Sequence, residues 1–410
     1  MSKIRLSLIA LVTITSLNAQ VAVTDVKYRR SSLHTILWES EKFPYKDTVI
    51  NAYYSAPFPE KYNEHTIDDK SFDPSLYGDV SLKDIEPNII NNYFTQNKIA
   101  ARLVAKWFNR QPDGSFDMSL VSERGYYNAS EMEAMIAQKS VRGMVSLADA
   151  GEELIKNTFV VVSKLNFVSN STAAAVGSVG AEVIIDRFVD NPLLNMGAKF
   201  LKNAVAEKAA EGYSVWCTSY LYRLNWNEEV ANTFYNEYWM DKNSIDPAKK
   251  IKFETTDLFK LDYVGSEKTS ILITYSLKEQ RTAERYVTLA TIRSVDKVFA
   301  RLQREYDVFK TKTPLLTASP LTAQIGLKEG LEKNDKFEVL EQIQDEKGYT
   351  RYVRKGIITV DGNQIWDNRF SAGEELEETK KAVQANTSLD RTHFKGGRNF
   401  YPGMLIRQIK

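Results

Sequence analysis

The chain has 410 residues, with 54 Lys and Arg against 53 Asp and Glu and a formal net charge of +1. A balance this even exerts no global pull on nucleic acid or an anionic membrane surface. The single cysteine, Cys217, excludes an internal disulfide, so stability must come from buried apolar surface, which a chain of this length can supply.

The N-terminus reads as a targeting segment, residues 1–19. Lys3 and Arg5 form a short basic region, and Leu6 to Thr13 is an apolar core too short to span a bilayer comfortably. Leu17-Asn18-Ala19 offers a small residue at the cut, so cleavage is expected between Ala19 and Gln20. Removing the segment takes two positive charges and leaves a net of −1. No cysteine stands near the cut, which argues against a lipoprotein. No later apolar run is long enough for a transmembrane helix. The expected location is exported, either periplasmic or outer-membrane-associated.

Residues 20–86 read as an irregular segment with short strands at Val21–Val23 and Thr35–Trp38. Its many aromatics predict a loop packed onto a body. Pro87 opens a helix whose apolar positions, from Ile89 to Phe108, recur at spacings of three, four and seven. Gln111-Pro112-Asp113-Gly114 ends it, and Phe116, Met118 and Leu120 alternate as a strand would. Ser130 and Glu133 mark a helix start, a second helix covers Ser146–Lys156, and Thr158–Phe167 is a buried strand. Residues 168–210 predict a helical excursion that either packs on its own domain or contacts a membrane; Glu182, Asp186, Arg187 and Asp190 favour packing.

Tyr213–Trp226 alternates as a long strand with Cys217 inside. Asn227, Glu228 and Glu229 open a short helix, and Asp246-Pro247 closes the unit. Leu258–Val264, Ile271–Leu277 and Arg285–Ile292 read as strands. Ser294 caps a helix that carries Val295, Val298, Phe299, Leu302, Tyr306 and Phe309 on one face. Residues 314–320 are the candidate linker. From 321 to 410, glycines punctuate period-two runs such as Phe337/Val339 and Ile358/Val360, the pattern of antiparallel strands in a small curved domain. Residues 373–389 read as partly helical or loose, and Met404–Ile409 as a closing strand. The expected fold is α+β: an α/β-layer body over 87–313, with helices on a mixed sheet, followed by a small C-terminal antiparallel β-barrel.

No common catalytic signature is present. His34, His65 and His393 fit neither HExxH nor a zinc spacing, GxSxG and GxxxxGK[ST] are absent, and Cys217 has no histidine beside it. No catalytic, cofactor-binding or metal-ligating residue is assigned. A carboxylate pair assembled by the fold would be sought first at Asn227-Glu228 and Trp366-Asp367.

The segment end Leu17-Asn18-Ala19-Gln20, the tyrosine and asparagine usage, and the run from Ile325 to Gly330 through Trp366-Asp367-Asn368 resemble uncharacterised secreted proteins of Bacteroidota, over most of the chain. Gly326 to Val339 also resembles the opening of small β-barrel domains in bacterial envelope assemblies, of the flagellar T-ring type, where a Gly-Leu turn leads into the first barrel strand. Neither resemblance brings an activity. The expectation is a non-catalytic exported interaction or assembly protein with an envelope protein partner, no nucleic-acid partner and no cofactor. The alternatives are a secreted glycan hydrolase and a membrane-inserting assembly subunit working through 168–210.

Overall fold

The computed structural model describes residues 28–81, 85–127, 154–169, 211–275, 282–344, 350–371 and 389–409. Expectations for 1–27, 128–153, 170–210 and 372–388 lie outside these residues, the cleavage site at Ala19 and Gln20 among them.

The fold is α+β, as expected. The body is built on a mixed sheet in the order β2-β1-β4-β5-β6, with β3 also paired to β1. Strands β1 (Ser32–Trp38), β2 (Asn63–Glu64), β3 (Ser71–Phe72) and β4 (Thr158–Ser169) are parallel where they pair. Helices supply the crossovers that parallel pairing demands: α1 (Lys46–Ser55) after β1, then α2 (Glu86–Gln96), α3 (Ile99–Trp107) and α4 (Ser119–Tyr127) before β4. Strands β5 (Glu211–Leu224) and β6 (Leu261–Tyr275) then add antiparallel. Between them lie α5 (Glu228–Thr233), a π-helical turn (Phe234–Tyr238) and α6 (Pro247–Thr255). After β6 comes α7 (Ala283–Glu305), the longest helix among the described residues.

Helices cover both faces of the sheet. On one face, Leu33, Leu37, Phe159, Val161, Val215 and Leu221 pack against α1 and α7. On the other, Ile36, Trp38, Val160, Val162 and Tyr222 pack against Ile89, Ile90, Phe94, Ile99 and Leu103 of α2 and α3. A strand buried on both faces needs apolar residues at consecutive positions, and Val160-Val161-Val162 supplies them. A third cluster, around Trp107, Phe108, Trp226, Phe234 and Phe253, gathers the helices at the end of the sheet.

Four local expectations are corrected. The helix from Pro87 is two helices, α2 and α3, because Lys98 sits in the left-handed region between them. The alternation at Phe116, Met118 and Leu120 is the entry to α4, where the Asp117 carboxylate accepts from the Ser119 amide at 2.9 Å. Arg285–Ile292 belongs to α7 and is not a strand. Asp246-Pro247 starts α6, with the Asp246 carboxylate accepting from the Ala248 amide.

The second unit is a ring of six antiparallel strands in the order β10-β11-β8-β7-β12-β9. They are β7 (Thr313–Ala318), β8 (Leu321–Ala323), β9 (Lys336–Gln344), β10 (Thr350–Val360), β11 (Thr392–Lys395) and β12 (Leu405–Ile409). Closure is uneven: the β9–β10 ladder is long, whereas β10–β11 and β7–β12 share two paired positions each. Phe337, Val339, Ile358, Val360, Phe394 and Ile406 fill its core. The stretch expected as a linker, 314–320, is β7 and the turn into β8.

Among the described residues strand β6 ends the sheet, and an uncovered edge invites pairing with another chain. Side chains of α7 and the residue just beyond it cover its middle. Lys297 Nζ donates to the Ser270 carbonyl at 2.7 Å, Tyr306 Oη donates to the Ser266 carbonyl at 3.1 Å, and Arg301 holds Glu267 at 3.0 Å. Gly265 makes this fit, because a Cβ there would fall 2.3 Å from the Tyr306 hydroxyl. Replacing Lys297 by Ala and Tyr306 by Phe together is expected to uncover both carbonyls. Sedimentation velocity should then show stronger concentration-dependent self-association than in the wild-type chain; identical profiles would reject the edge-covering role.

Candidate functional site

The structure brings His34 and His65 together, although they are 31 positions apart in the sequence. The parallel pairing of β1 and β2 does this, and the His65 amide donates to the Leu33 carbonyl at 2.9 Å. His65 Nε2 lies 2.9 Å from the Leu103 carbonyl, so it carries the proton, and Nδ1 accepts from the Arg124 guanidinium at 2.9 Å. Trp107 stacks on the His65 ring at 4.8 Å, and the Arg124 guanidinium lies 4.6 Å from the Trp107 ring centre. Arg124 also donates to the Ser32 hydroxyl and the Glu64 carbonyl. Burial, reinforced by Lys106 and Arg102, pulls the His34 imidazole down to about 3. Burial and the Arg124 charge hold His65 far below its ordinary value as well. Burial draws Arg124 down to about 10. His65, bonded at both ring nitrogens, and Arg124 form a knot that ties β1 and β2 to α3 and α4, while the neutral His34 lies buried beside it with neither ring nitrogen hydrogen-bonded among the described residues. Both ring nitrogens of His65 are already committed, which leaves neither for a metal.

The other sequence candidates are placed as follows. His393 lies in β11, with its backbone bonded to Asp361 and Gln364. Cys217 is fully buried in β5, and burial pushes its thiol up to about 12, where it stays protonated and unreactive. Asn227 caps α5, its side-chain oxygen accepting from the Val230 amide at 2.9 Å. Glu228 is exposed in the first turn of that helix, where a carboxylate suits the helix dipole. It borders a shallow open concavity of about 840 Å³ with Glu229, Asn236, Glu237 and Lys252. The Lys252 ammonium holds the Glu237 carboxyl below its ordinary value. Asp367 is gripped at both oxygens by Arg369, at 2.9 and 2.7 Å. Although burial opposes it, this grip keeps the carboxyl below its ordinary value, so it is no proton donor near neutral pH. At Asp367 the lowered carboxyl is the opposite of the raised acid that glycosidic cleavage requires.

Raised carboxyls, at Asp296 and Asp335, stand on a seam that sequence reasoning missed. Arg293, Asp296, Ala300 and Arg304 follow one another at spacings of three and four along α7, on a stripe separate from its apolar face. This stripe meets the barrel unit. Arg293 donates to the Phe370 carbonyl at 3.2 Å and the Ser371 carbonyl at 3.1 Å. Arg304 donates to the Gly330 carbonyl at 2.9 Å and to the Asp335 carboxylate at 2.8 Å. Asp296 faces Lys328 at 3.9 Å. Gly330 has φ 71 and caps the turn Leu327–Glu329, and a Cβ there would lie 3.1 Å from Ala300. The Gly326–Gly330 motif is thus the turn that seats the barrel on α7. Two further ties bridge the units: Lys61 donates to the Gln324 carbonyl at 2.7 Å, and Tyr28 packs on Leu340 and Leu405 with its hydroxyl bonded to that of Tyr352. Burial raises Asp296 to about 6, with Lys328 opposing and Glu329 adding to the rise.

Among the described residues no cluster of three or more metal-ligating side chains occurs, and no helix is long and apolar enough to cross a membrane. No family model matches the chain, and no curated protein matches it.

The buried histidines set an acid response. The folded-state value of His34 lies below its unfolded value of 6.5. Its neutral form therefore contributes stability in full above pH 6.5, and that contribution is lost as pH falls toward about 3. His65 acts in the same direction. Urea titrations across this window are expected to show His34→Leu losing less stability than wild type, by about 1 kcal/mol per pH unit. Parallel slopes would show that His34 does not bear the proton linkage.

Proposed function

We propose that the protein is a non-catalytic, exported, envelope-associated interaction or assembly protein. The observation that carries this reading is the seam: a helix integral to the body core also seats the barrel through polar contacts at Arg293, Asp296 and Arg304. Contacts at Tyr28 and Lys61 support the same arrangement from the far end of the chain. A scaffold that presents two surfaces to partners needs them in fixed relation, and these contacts give one. The connection between the units is correspondingly short. Phe309, just past α7, is fully buried and stacked on Tyr62, and β7 begins at Thr313.

The test is crosslinking of intact cells, envelope fractionation and mass spectrometry of what travels with the chain. The expected result is reproducible co-purification with one or more envelope proteins, with crosslinks reaching both body and barrel. Recovery as a free monomer from the soluble fraction, with no crosslinked neighbour, would count against the reading.

A further inference from the structure

We propose that the seam between α7 and the 326–330 turn is an acid-tightened clasp, closed by proton uptake on Asp296. Three charged groups face this carboxylate. Lys328, from the docking turn, stands 3.9 Å away, longer than a hydrogen-bonded ion pair. Glu329, from the same turn, adds a like charge. It is fixed in place, because its carboxylate accepts from the Gly326 amide at 2.7 Å and from Asn368 Nδ2 at 2.8 Å. Arg293, on α7 itself, favours the charged carboxylate less than Lys328 does, and donates to the Phe370 and Ser371 carbonyls. Asp296 is therefore largely removed from water at a domain boundary with only loose compensation. A buried charge in that position opposes the docking that buries it.

The sign follows from linkage. With the turn seated, burial lifts Asp296 from 3.8 to about 6. With the turn away, the carboxyl is on an open helix face and returns toward its ordinary value. Seating then takes up a proton between these two values, so falling pH favours the closed state and rising pH loosens it. Burial raises Asp335 as well, against the opposing Arg304 charge, so it pulls in the same direction. Asp367 is lowered chiefly by Arg369 within its own unit, and Arg293 adds only a lesser share. The linkage allows up to roughly a 100-fold change in the seating equilibrium. The inference stands on the seam alone and survives whether or not a partner is found.

Hydrogen exchange of the full chain, read by mass spectrometry over 326–331 and corrected for intrinsic rates, tests it. Protection there is expected to rise severalfold, to about tenfold, from about pH 7.5 to about pH 5 in the wild type. Asp296→Asn, an uncharged isostere, should hold high protection at both pH values. Lys328→Met removes the opposing cation and should move the transition to higher pH. Equal wild-type protection at the two pH values would overturn the proposal. So would a wild-type response retained by Asp296→Asn, or an unmoved transition in Lys328→Met.

Discussion

Helix α7 has two neighbours to satisfy at once, and the arrangement of the molecule depends on how it does so. Its apolar stripe (Val287, Ala290, Val298, Phe299 and Leu302) is buried against the rest of the body. Burial of such a stripe contributes on the order of 10–20 kcal/mol before conformational entropy is set against it. Each hydrogen bond of the seam, made by a charged guanidinium at Arg293 or Arg304, contributes only about 1.5–3 kcal/mol. The sheet therefore fixes where α7 lies, and the seam decides only how the barrel sits on it. The covering of β6 by Lys297, Arg301 and Tyr306 follows from the same placement.

The body's polar interior obeys a related constraint. A mixed sheet covered on both faces leaves little room for water, so inward polar groups draw their partners from the protein, although His34 and the Tyr222 hydroxyl have no hydrogen-bond partner among the described residues. Ser163 and Ser219 stand opposite each other on β4 and β5 and share a hydrogen bond of 2.9 Å. Trp107 donates to the Thr158 hydroxyl at 2.8 Å. The His65–Arg124–Trp107 knot is the largest such solution. It ties the short β2 pairing to the helices beyond it, where two residue pairs of ladder would hold little by themselves.

Much of this was legible in the sequence. Long, strongly periodic segments such as β4, β5 and the β9–β10 hairpin were evident, as were the α+β class and the C-terminal barrel unit. The misreadings have local causes. In α7, Val287, Thr288, Thr291 and Ile292 give a β-like composition, yet Thr288, Thr291 and Ser294 bond back to the carbonyls four residues earlier, which satisfies their hydroxyls inside a helix. In β6, the polar run Ser266–Ser270 breaks the alternation because α7 covers it with polar groups, so one strand of 15 residues looked like two. The seam left a signal in the spacing of Arg293, Asp296 and Arg304, but a polar stripe on a helix reads first as a solvated face. The approach of His34 to His65 depends on parallel pairing between distant segments, which no local pattern encodes.

The central claim is that α7 makes body and barrel one cooperative unit. Fluorine NMR of the protein labelled with 5-fluorotryptophan tests it most directly. Trp366 reports on the barrel unit, and Trp38, Trp107, Trp216, Trp226 and Trp239 report on the body. In a urea titration all six folded signals should disappear at a common midpoint in the wild type, and the Trp366 signal should separate from the others when Arg293 and Arg304 are both replaced by Ala. A Trp366 midpoint already distinct in the wild type would contradict the account.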